Sequence, residues 1–534
     1  MKLITEASAE KIRGGFYTPL PVAEFIVKWA IDNDNTNCDI LEPSCGDGIF
    51  LESLKNLNVT YQSLTAVEFD TVESVKAQQI DLPNTEIINT DFHKFCNHTP
   101  KRFDAVIGNP PYIRYQFFEP NQQIEAEDIF VKAGLKYTRL TNAWVSFVVG
   151  ATLLLKEKGK IGFVIPAEIL QVSYADQLRQ FIANQYNEIT IISFEKLIFP
   201  NIQQEVVLLL CERDGSGNRK IDHLELRDAT DLKSLDINRL KNPKKNIGVK
   251  SKKWTHYFLE QEEIDFLDYV AKGAIQTLGK YAAVQVGITT GANDFFTVPL
   301  STVNEYDLSD YARPMVGRSV QVNSVIFTEN DWQLNRRSTA KAHLLVFPGR
   351  ADLDPQNGAV RYIAHGERAG IHTGYKCGIR DDWFVVPSIK VSDALFIRRS
   401  NVFPKLIINQ AGAYTTDTMH RVYLKSGTNL DALTGSYYNS LSLAFAEISG
   451  RSYGGGVLEL MPGEVERILL PYQEQHAALL PWIDAAMRRK ESITKILQYT
   501  NQVILKESFG LSDNEIALAQ SIWKKLSNRR LNRK

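Results

Sequence analysis

The feature that most constrains the fold is the alternation of short buried-strand patterns with helical patterns between residues 38 and 108. Compact apolar runs bounded by turn residues are typical of strands covered on both faces, whereas residues 49–57 space their apolar side chains as a helix does. Further strands follow, so that strands are predicted at residues 39–42, 64–68, 86–89, 103–108, 160–165, 189–194 and 206–211. Strands that alternate with helices predict a doubly wound α/β domain with a parallel sheet.

Ligand-binding residues are expected where these strands end, because open parallel sheets bind ligands beyond their carboxyl edge. The first strand runs into residues 40–50, I-L-E-P-S-C-G-D-G-I-F, where Gly46 and Gly48 predict a tight turn before a helix. Glu68 ends the second strand, where it can accept both ribose hydroxyls of an adenosyl group, and Asp91 follows the third, where it can accept from an adenine amino group. A G-x-G-x-x-G sequence is missing here, so a pyrophosphate has no predicted binding place on the helix N-terminus. The turn therefore favours S-adenosylmethionine over NAD, although Gly-x-Gly also occurs in ordinary turns.

The fourth predicted strand leads directly into Asn109, Pro110, Pro111 and Tyr112. The two prolines fix φ and remove two backbone donors, which leaves rigid carbonyl acceptors beside the Asn109 amide, and Tyr112 adds a flat apolar face. Such a group can hold both hydrogens of a planar amino group, so that the nitrogen lone pair turns towards a methyl donor. N-P-P-Y can also be a plain turn. Its position after a buried strand, in the same sheet as the glycine turn, favours the catalytic interpretation.

The rest of the chain has a different sequence pattern. We predict a catalytic domain over residues 1–240, a basic linker over 241–274, a mixed, β-rich domain over 275–470 and C-terminal helices over 471–534. In the β-rich domain, strands are predicted within residues 343–350, 383–387 and 405–410. The C-terminal helices are predicted from the 3.6-residue periodicity of their apolar side chains.

Composition excludes several classes of protein. The 534 residues are 44% hydrophobic and 23% charged, and the longest apolar stretch, residues 143–155, is shorter than a membrane span and predicts a buried helix. Charges near the N-terminus argue against a signal peptide, so a cytoplasmic location is expected. The five cysteines are odd in number and far apart, which predicts neither a disulfide framework nor a metal site.

The net charge of -1 gives no support to a nucleic-acid partner, but the positive charges are clustered. Seven Lys or Arg residues lie in residues 239–253, and six lie in the last eleven residues. Such clusters are compatible with solvated segments and with phosphate contacts, and the charge pattern does not decide between them.

These motifs resemble those of the gamma-class N6-adenine DNA methyltransferases of type II restriction–modification systems. The resemblance rests on residues 14–30, 40–50, 65–70, 89–92, 107–115 and 194–210, which follow the order of that family. Weaker similarity to the family's target-recognition region is found at residues 286–296, 375–387 and 451–471. It implies a Rossmann-like methyltransferase domain, then a mixed, β-rich target-recognition domain and C-terminal helices.

The resemblance also implies roles for individual residues. Tyr17, Thr18 and Pro19 would flank the methionine part of S-adenosylmethionine, and Tyr112 and Phe199 would stack on the two faces of a flipped-out adenine. Phe199 could instead be a core side chain. The other expected cofactor-binding residues are Glu42, Pro43, Ser44, Cys45, Gly46, Gly48, Glu68, Phe69, Asp91, Phe92 and Asn109.

The implied reaction is transfer of a methyl group to N6 of adenine in duplex DNA, without a metal. None of the five cysteines follows a proline, which argues against a cytosine-C5 enzyme, and Asn109 stands where N4-cytosine enzymes usually have Ser. Only 13 residues precede Gly14, too few for an N-terminal nuclease, so a separate endonuclease for the same site is expected. The methyltransferase itself is expected to be a monomer. RNA-adenine methylation, protein-glutamine methylation and a non-catalytic DNA-binding subunit are the alternatives.

Overall fold

The computed structural model describes residues 18–31, 37–113, 117–138, 142–199, 205–240, 245–247, 253–354, 356–453 and 455–532. The chain divides into two compact units, Met1–Ile264 with Arg533–Lys534, and Asp265–Asn532. This division falls inside the predicted linker, and each unit is described separately.

The first unit contains a nine-stranded sheet of order β3-β2-β1-β4-β5-β7-β6-β8-β9. Strands β1 to β5 pair in parallel, whereas β7 lies antiparallel between β5 and β6. The predicted parallel sheet is present over β1 to β5, and the antiparallel β7 was not predicted, because apolar periodicity carries no information on strand direction. The strands are β1 (Asp39–Glu42), β2 (Ser63–Glu68), β3 (Thr85–Asn89), β4 (Phe103–Gly108), β5 (Leu155–Pro166), β6 (Glu188–Phe194), β7 (Val206–Glu212), β8 (Lys220–Leu226) and β9 (Lys245–Asn246).

Helices cover this sheet on both faces. Ile40 and Leu41 are neighbours on β1, so their side chains point to opposite faces, and both are fully buried. The same holds for Val106 and Ile107 on β4. The α-helices are α1 (Leu20–Ala30), α2 (Ile49–Asn56), α3 (Thr71–Gln78), α4 (Phe92–His98), α5 (Pro120–Lys132), α6 (Ala143–Leu154) and α7 (Asp176–Gln185), with 3-10 turns at Ala167–Leu170, Ser173–Ala175, Ala229–Lys233, Ile237–Leu240 and Trp254–Phe258. The predicted doubly wound α/β class is confirmed.

The strand order places a topological switch between β1 and β4. From β1 the chain continues to β2 on one side, whereas β4 is followed by β5 on the other side. Because the connections leave in opposite directions, a crevice opens beyond the carboxyl ends of these two strands. The glycine turn follows β1 and the N-P-P-Y tetrapeptide follows β4, so both motifs lie at this crevice.

The sheet continues beyond the predicted strands, and β9 lies in the predicted linker. Strand β8 pairs in parallel with β6, and β9 pairs with β8. Lys245 on β9 is 5% exposed, donates from Nζ to the Tyr257 carbonyl at 3.0 Å, and lies 3.4 Å from an Asp222 oxygen. Lys245 therefore stabilises the fold and is not a solvated linker cation. Helix α8 (Gln261–Lys272) also falls within the predicted linker.

The second unit combines several small sheets with helices. Two sheets have four strands, β11-β19-β15-β17 and β12-β14-β13-β18, one has three, β16-β21-β20, and β10 pairs with β22. Their bounds are β10 (Gln276–Thr277), β11 (Ala282–Val286), β12 (Thr297–Val298), β13 (Ala312–Val316), β14 (His343–Leu345), β15 (Ala394–Ile397), β16 (Arg399–Ser400), β17 (Leu406–Ile408), β18 (Tyr414–Thr415), β19 (Met419–Leu424), β20 (Arg451–Tyr453), β21 (Val457–Glu459) and β22 (Leu469–Leu470). The predicted strands within 343–350 and 405–410 are present, but residues 383–387 form turns and a loop.

The helices of the second unit include three near the C-terminus, as the periodicity predicts. They are α9 (Leu278–Tyr281), α10 (Asn293–Phe296), α11 (Leu300–Tyr306), α12 (Glu329–Arg337), α13 (Gly358–Arg368), α14 (Tyr375–Gly378), α15 (Leu430–Tyr437), α16 (Ser440–Ser449), α17 (Pro462–Val465), α18 (Leu480–Arg488), α19 (Ile493–Asn501) and α20 (Asp513–Leu531). Short 3-10 turns lie at Ser319–Gln321, Arg350–Asp352, Ile371–Thr373 and Glu474–Leu479, and a π-helix at Gln502–Ser508. The buried side chain of Arg530 pairs with Glu447, which anchors α20 to α16. Arg530 is therefore not part of a solvated tail.

Candidate functional site

The turn after β1 depends on its two glycines. Gly48 has φ +98°, and a Cβ at this position would lie 2.4 Å from Cδ1 of Ile80. Gly46 has φ +53°, but among the described residues, its chain neighbours apart, none has an atom within 4 Å of the place where its Cβ would be. The turn is thus closely packed at Gly48 and open at Gly46, where a ligand can approach the main chain.

Glu68, at the end of β2, closes the turn from the neighbouring strand. Its Oε2 accepts from the Gly46 amide and its Oε1 accepts from the Asp70 amide, each at 2.8 Å. Burial raises the pKa of Glu68, while the backbone hydrogen bonds act in the opposite direction. A carboxylate has about four acceptor positions, so Glu68 can still bind ribose hydroxyls beside these backbone contacts. Phe69, the next residue, is 59% exposed and offers a ring face beside it.

Glu42 is the most deeply buried carboxyl group of the site. It is 1% exposed, and its Oε2 has no hydrogen-bond partner among the residues that the structure describes. Burial raises its pKa well above the usual range, and the charges of Glu68 and Asp47 add to the shift. An unpaired buried polar atom is costly, so its presence at a crevice points to a missing partner. Cys45, two residues beyond Pro43, is also buried.

Asp91 caps helix α4 and belongs to a polar network. Its Oδ1 accepts from the backbone amides of His93 and Lys94, at 2.9 and 3.2 Å. His93 Nδ1 lies 3.2 Å from the same oxygen, and Nε2 lies 2.7 Å from Oγ of Ser146. Its Oδ2 accepts from Nε2 of Gln122 on α5 at 2.9 Å. Burial raises the pKa of Asp91, but these hydrogen bonds outweigh it and the net shift is downward, which favours the carboxylate.

The N-P-P-Y loop is tied to the glycine turn and to β5. Oγ of Ser44 donates to the Asn109 carbonyl at 3.3 Å. Oη of Tyr112 donates to Oδ1 of Asn109 at 2.8 Å and approaches the Val164 carbonyl at 3.2 Å. Asn109 is half-buried and Pro110 is buried. The Asn109 side-chain oxygen is thus held at the crevice as an acceptor.

Tyr112 and Phe199 belong to one apolar cluster. Phe199 is 5% exposed and is part of the core of the first unit, and Tyr112 packs against that core. Pro111, between Asn109 and Tyr112 in the loop, is half-buried. Burial raises the pKa of the Tyr112 hydroxyl well above its usual value. The burial of Phe199 is what a core side chain would have, so stacking on a target base stays a prediction.

Other predicted cofactor residues have varied surroundings. Thr18 is buried, Pro19 caps α1, and Tyr17 lies outside the described residues. Phe92 is 2% exposed and its ring stacks on Phe147 with the ring centroids 4.6 Å apart, so its side chain is part of the core. Within the described parts of the chain, acidic, His and Cys side chains do not gather into a metal-binding group, and the helices there are too short or too polar to cross a membrane.

Several contacts of the site were not foreseen from the sequence. They include the Ser44–Asn109 and Tyr112–Asn109 hydrogen bonds and the pairing of Gln122 with Asp91. Asn89, at the end of β3, was also missed: its Nδ2 donates to the carbonyls of Glu68 and Phe69 at 2.8 and 3.2 Å. The one available signal was the position of Asn89 at a strand end, next to the predicted Asp91.

Two of the three C-terminal segments singled out in the sequence meet in the second unit. Arg380, within residues 375–387, donates from Nη2 to the carbonyls of Thr289 and Thr290, at 3.3 and 2.7 Å. These threonines belong to the segment 286–296. Tyr375 and Ile379, which precede Arg380 in the same segment, are 76% and 65% exposed.

The doubly wound sheet, with its glycine turn after β1, has the fold of a class I S-adenosylmethionine-dependent methyltransferase. The N-P-P-Y tetrapeptide after β4 lies in the same crevice. Comparison with known proteins agrees with this class. Residues 43–199 match the Eco57I restriction-modification methylase family, and residues 251–505 match the C-terminal domain of the type II methyltransferase M.Eco57I. These matches support a DNA methyltransferase of the type II restriction–modification kind, and the motif order is consistent with the gamma class.

Individual relatives agree with this family. The type II methyltransferase M.AccI of Acinetobacter calcoaceticus is 24% identical over 474 residues, which cover 85% of this chain and 84% of that protein. M.HincII of Haemophilus influenzae is 29% identical over 228 residues, 42% of each chain. Among solved structures, the DrdV–DNA complex matches with a TM-score of 0.50 and 15% identity, over 90% of this chain and 57% of that one, which supports the fold.

Proposed function

We propose that this chain transfers a methyl group from S-adenosylmethionine to the N6 amino group of an adenine that is flipped out of duplex DNA. The observation that carries the proposal is Asn109 at the end of β4, with its side-chain oxygen held as an acceptor at the crevice. The family supports DNA as the substrate, whereas the adenine specificity rests on the chemistry of this loop.

The residues after β1, β2 and β3 fit an adenosyl cofactor. The unpaired Oε2 of Glu42 offers a buried acceptor that a cationic or N–H group would satisfy. The open side of Gly46 leaves room for a ligand against the main chain, and Glu68 and Asp91 present oxygens at neighbouring strand ends. When bound, S-adenosylmethionine supplies an electrophilic methyl group on a positively charged sulfur.

The role of Asn109 follows from the weak nucleophilicity of an adenine amino group, whose lone pair is delocalised into the ring. Asn109 Oδ1 and the Pro110 carbonyl accept the two N–H hydrogens, which draws the nitrogen towards tetrahedral geometry and directs its lone pair at the methyl group. Oδ1 accepts from Tyr112, and an amide oxygen has two lone pairs, so it can accept from more than one donor. The reaction then depends on orientation and needs no covalent enzyme intermediate.

Access to N6 requires that the base leaves the duplex, because the reacting atoms cannot meet inside the stack. Tyr112 and Phe199 supply the aromatic faces that would replace the lost stacking. Their membership of one apolar cluster supports a shared pocket.

We further propose that residues 275–470 select the DNA sequence and that the chain acts as a monomer alongside a separate endonuclease for the same site. The contact between residues 375–387 and 286–296, with exposed Tyr375 and Ile379 beside it, is compatible with a reading surface. Exposed apolar side chains of this kind can contact the methyl group of thymine in the major groove.

The test is to incubate the protein with methyl-labelled S-adenosylmethionine and duplex DNA, total RNA or peptide-chain release factor. Labelled duplex DNA that yields N6-methyladenine on nucleoside digestion is expected. N4-methylcytosine, or label only in RNA or in release factor, would overturn the proposal.

A pair of substitutions tests the mechanism. Asn109→Ala removes the acceptor and should abolish transfer while DNA and S-adenosylhomocysteine still bind, because the role is in the transition state. Asn109→Asp keeps an acceptor oxygen in place and should retain more activity than the Ala variant. Near-normal methylation by Asn109→Ala would contradict the mechanism.

A further inference from the structure

The two side-chain oxygens of Asp91 have different hydrogen-bond partners. Oδ1 accepts from the amides of His93 and Lys94 and lies 3.2 Å from His93 Nδ1, so its acceptor positions are used. Ser146, fully buried, holds the other side of the His93 ring and fixes this arrangement. Only Oδ2 can accept from an incoming ligand.

Gln122 is held against Oδ2 in one orientation. The Glu119 amide donates to Oε1 of Gln122 at 3.1 Å, in the capping box of α5. This contact leaves Nε2 pointing at Asp91, where it donates to Oδ2 at 2.9 Å. A primary amide carries two N–H hydrogens, so Nε2 has a second donor position beside the acceptor of Asp91.

We propose that Gln122 is a further cofactor-binding residue, which donates to a ring nitrogen of the cofactor's adenine while Asp91 Oδ2 accepts from the amino group of the same base. This inference rests on the proposed function. Adenine presents an N–H donor at N6 next to a ring acceptor, at N7 on one side and N1 on the other. A single Asn or Gln amide reads that pattern by supplying an acceptor and a donor together. Here the acceptor and the donor come from two side chains, held together by their own hydrogen bond.

The experiment is a set of double-mutant cycles between residue and ligand. Dissociation constants are measured by calorimetry for S-adenosylhomocysteine and its 1-deaza and 7-deaza analogues, which lack the N1 and the N7 acceptor respectively. The proteins are the wild type, Gln122→Ala, Gln122→Glu and the control Gln123→Ala. Gln122→Glu keeps the acceptor for the Glu119 amide and removes the donor. Gln123 is the next residue on α5, equally half-buried, and donates to the Phe118 carbonyl instead.

One deaza analogue should bind the wild type about tenfold more weakly than S-adenosylhomocysteine, the loss expected for one hydrogen bond. Both Gln122 variants should lose this difference, because the donor is already missing, whereas Gln123→Ala should keep it. The analogue that shows the effect identifies N1 or N7 as the contacted atom. A merely structural role for Gln122 would weaken all three ligands equally.

Equal losses for all three ligands in both Gln122 variants, or unchanged affinities in both, would overturn the inference. Its failure is distinguishable from failure of the proposed function. If S-adenosylhomocysteine binds and Asp91→Asn weakens it, the cofactor site stands without Gln122. If the wild type does not bind S-adenosylhomocysteine at all, the proposed function itself fails.

Discussion

Replacement of Arg530 by Met should destabilise the second unit strongly. The guanidinium binds Glu447 through two contacts, Nη2 to Oε1 at 2.7 Å and Nε to Oε2 at 3.1 Å, and it also donates to the carbonyls of Asn401 and Gly456. The two side chains are 2% and 4% exposed. Loss of one partner leaves a buried carboxylate without compensation, which costs roughly 3–5 kcal/mol, against about 0–1 kcal/mol for an exposed pair. Arg489→Met, which removes a surface pair with Glu491, is the matched control.

The defect should depend on pH in a defined direction. Burial raises the pKa of Glu447 above its ordinary value of 4.5, and Arg530 lowers it in part. Without Arg530 the pKa of Glu447 in the folded protein rises further, so the folded state binds a proton that the unfolded state releases. Stability of the variant then falls as pH rises from the unfolded pKa to the folded pKa. The difference from the wild type should therefore be largest near pH 8 and smaller near pH 5.

Urea unfolding at several pH values measures this difference, and hydrogen exchange of the α16 and α20 amides assigns it to the second unit, since the two units need not unfold together. The reasoning would be refuted if Arg530→Met were as stable as the control Arg489→Met. A loss of stability that does not change with pH would also refute it. A weaker salt dependence of DNA binding with unchanged stability would instead make Arg530 a phosphate-binding residue.

Three further predictions concern the first unit. Glu68→Gln and Asp91→Asn should each weaken S-adenosylhomocysteine binding by roughly 1–3 kcal/mol in calorimetry, the value of a charge-assisted hydrogen bond, and unchanged affinity in both would contradict the cofactor site. Phe199→Ala should slow methylation of a paired adenine more than of a mispaired one, because a paired base loses more stacking when it is flipped out, and stacking on an aromatic ring returns roughly 1–3 kcal/mol. Equal losses of methylation rate would make Phe199 a core residue only. Lys245→Met should lower the free energy of unfolding and leave the salt dependence of DNA binding unchanged, because Nζ is buried against Tyr257; a shallower salt dependence would contradict this.

Sequence patterns predicted most strands of the first unit closely. The ranges 39–42 and 103–108 agree with β1 and β4 residue for residue. These runs are apolar and bounded by turn residues, so the local pattern was sufficient. It failed at β8, where K-I-D-H-L-E-L has a strand's alternation but follows a polar loop, and at residues 383–387, whose apolar side chains are buried in a loop. The linker prediction also missed buried residues. Its positive charges indicated solvated side chains, but Lys245 is buried and pairs with Asp222.

By itself, the sequence determined which residues lie at the carboxyl ends of the strands, because the pattern of buried and turn residues is local along the chain. Glu42, Glu68, Asp91 and Asn109 were all found in this way. Only the tertiary structure decided which of their atoms are available. Ser44 reaches Asn109 across 65 residues, and Gln122 reaches Asp91 across 31. Such contacts depend on the strand order and on how α5 packs near α4, and neither can be read from periodicity, because a hydrogen bond requires two distant segments to meet within about 3 Å.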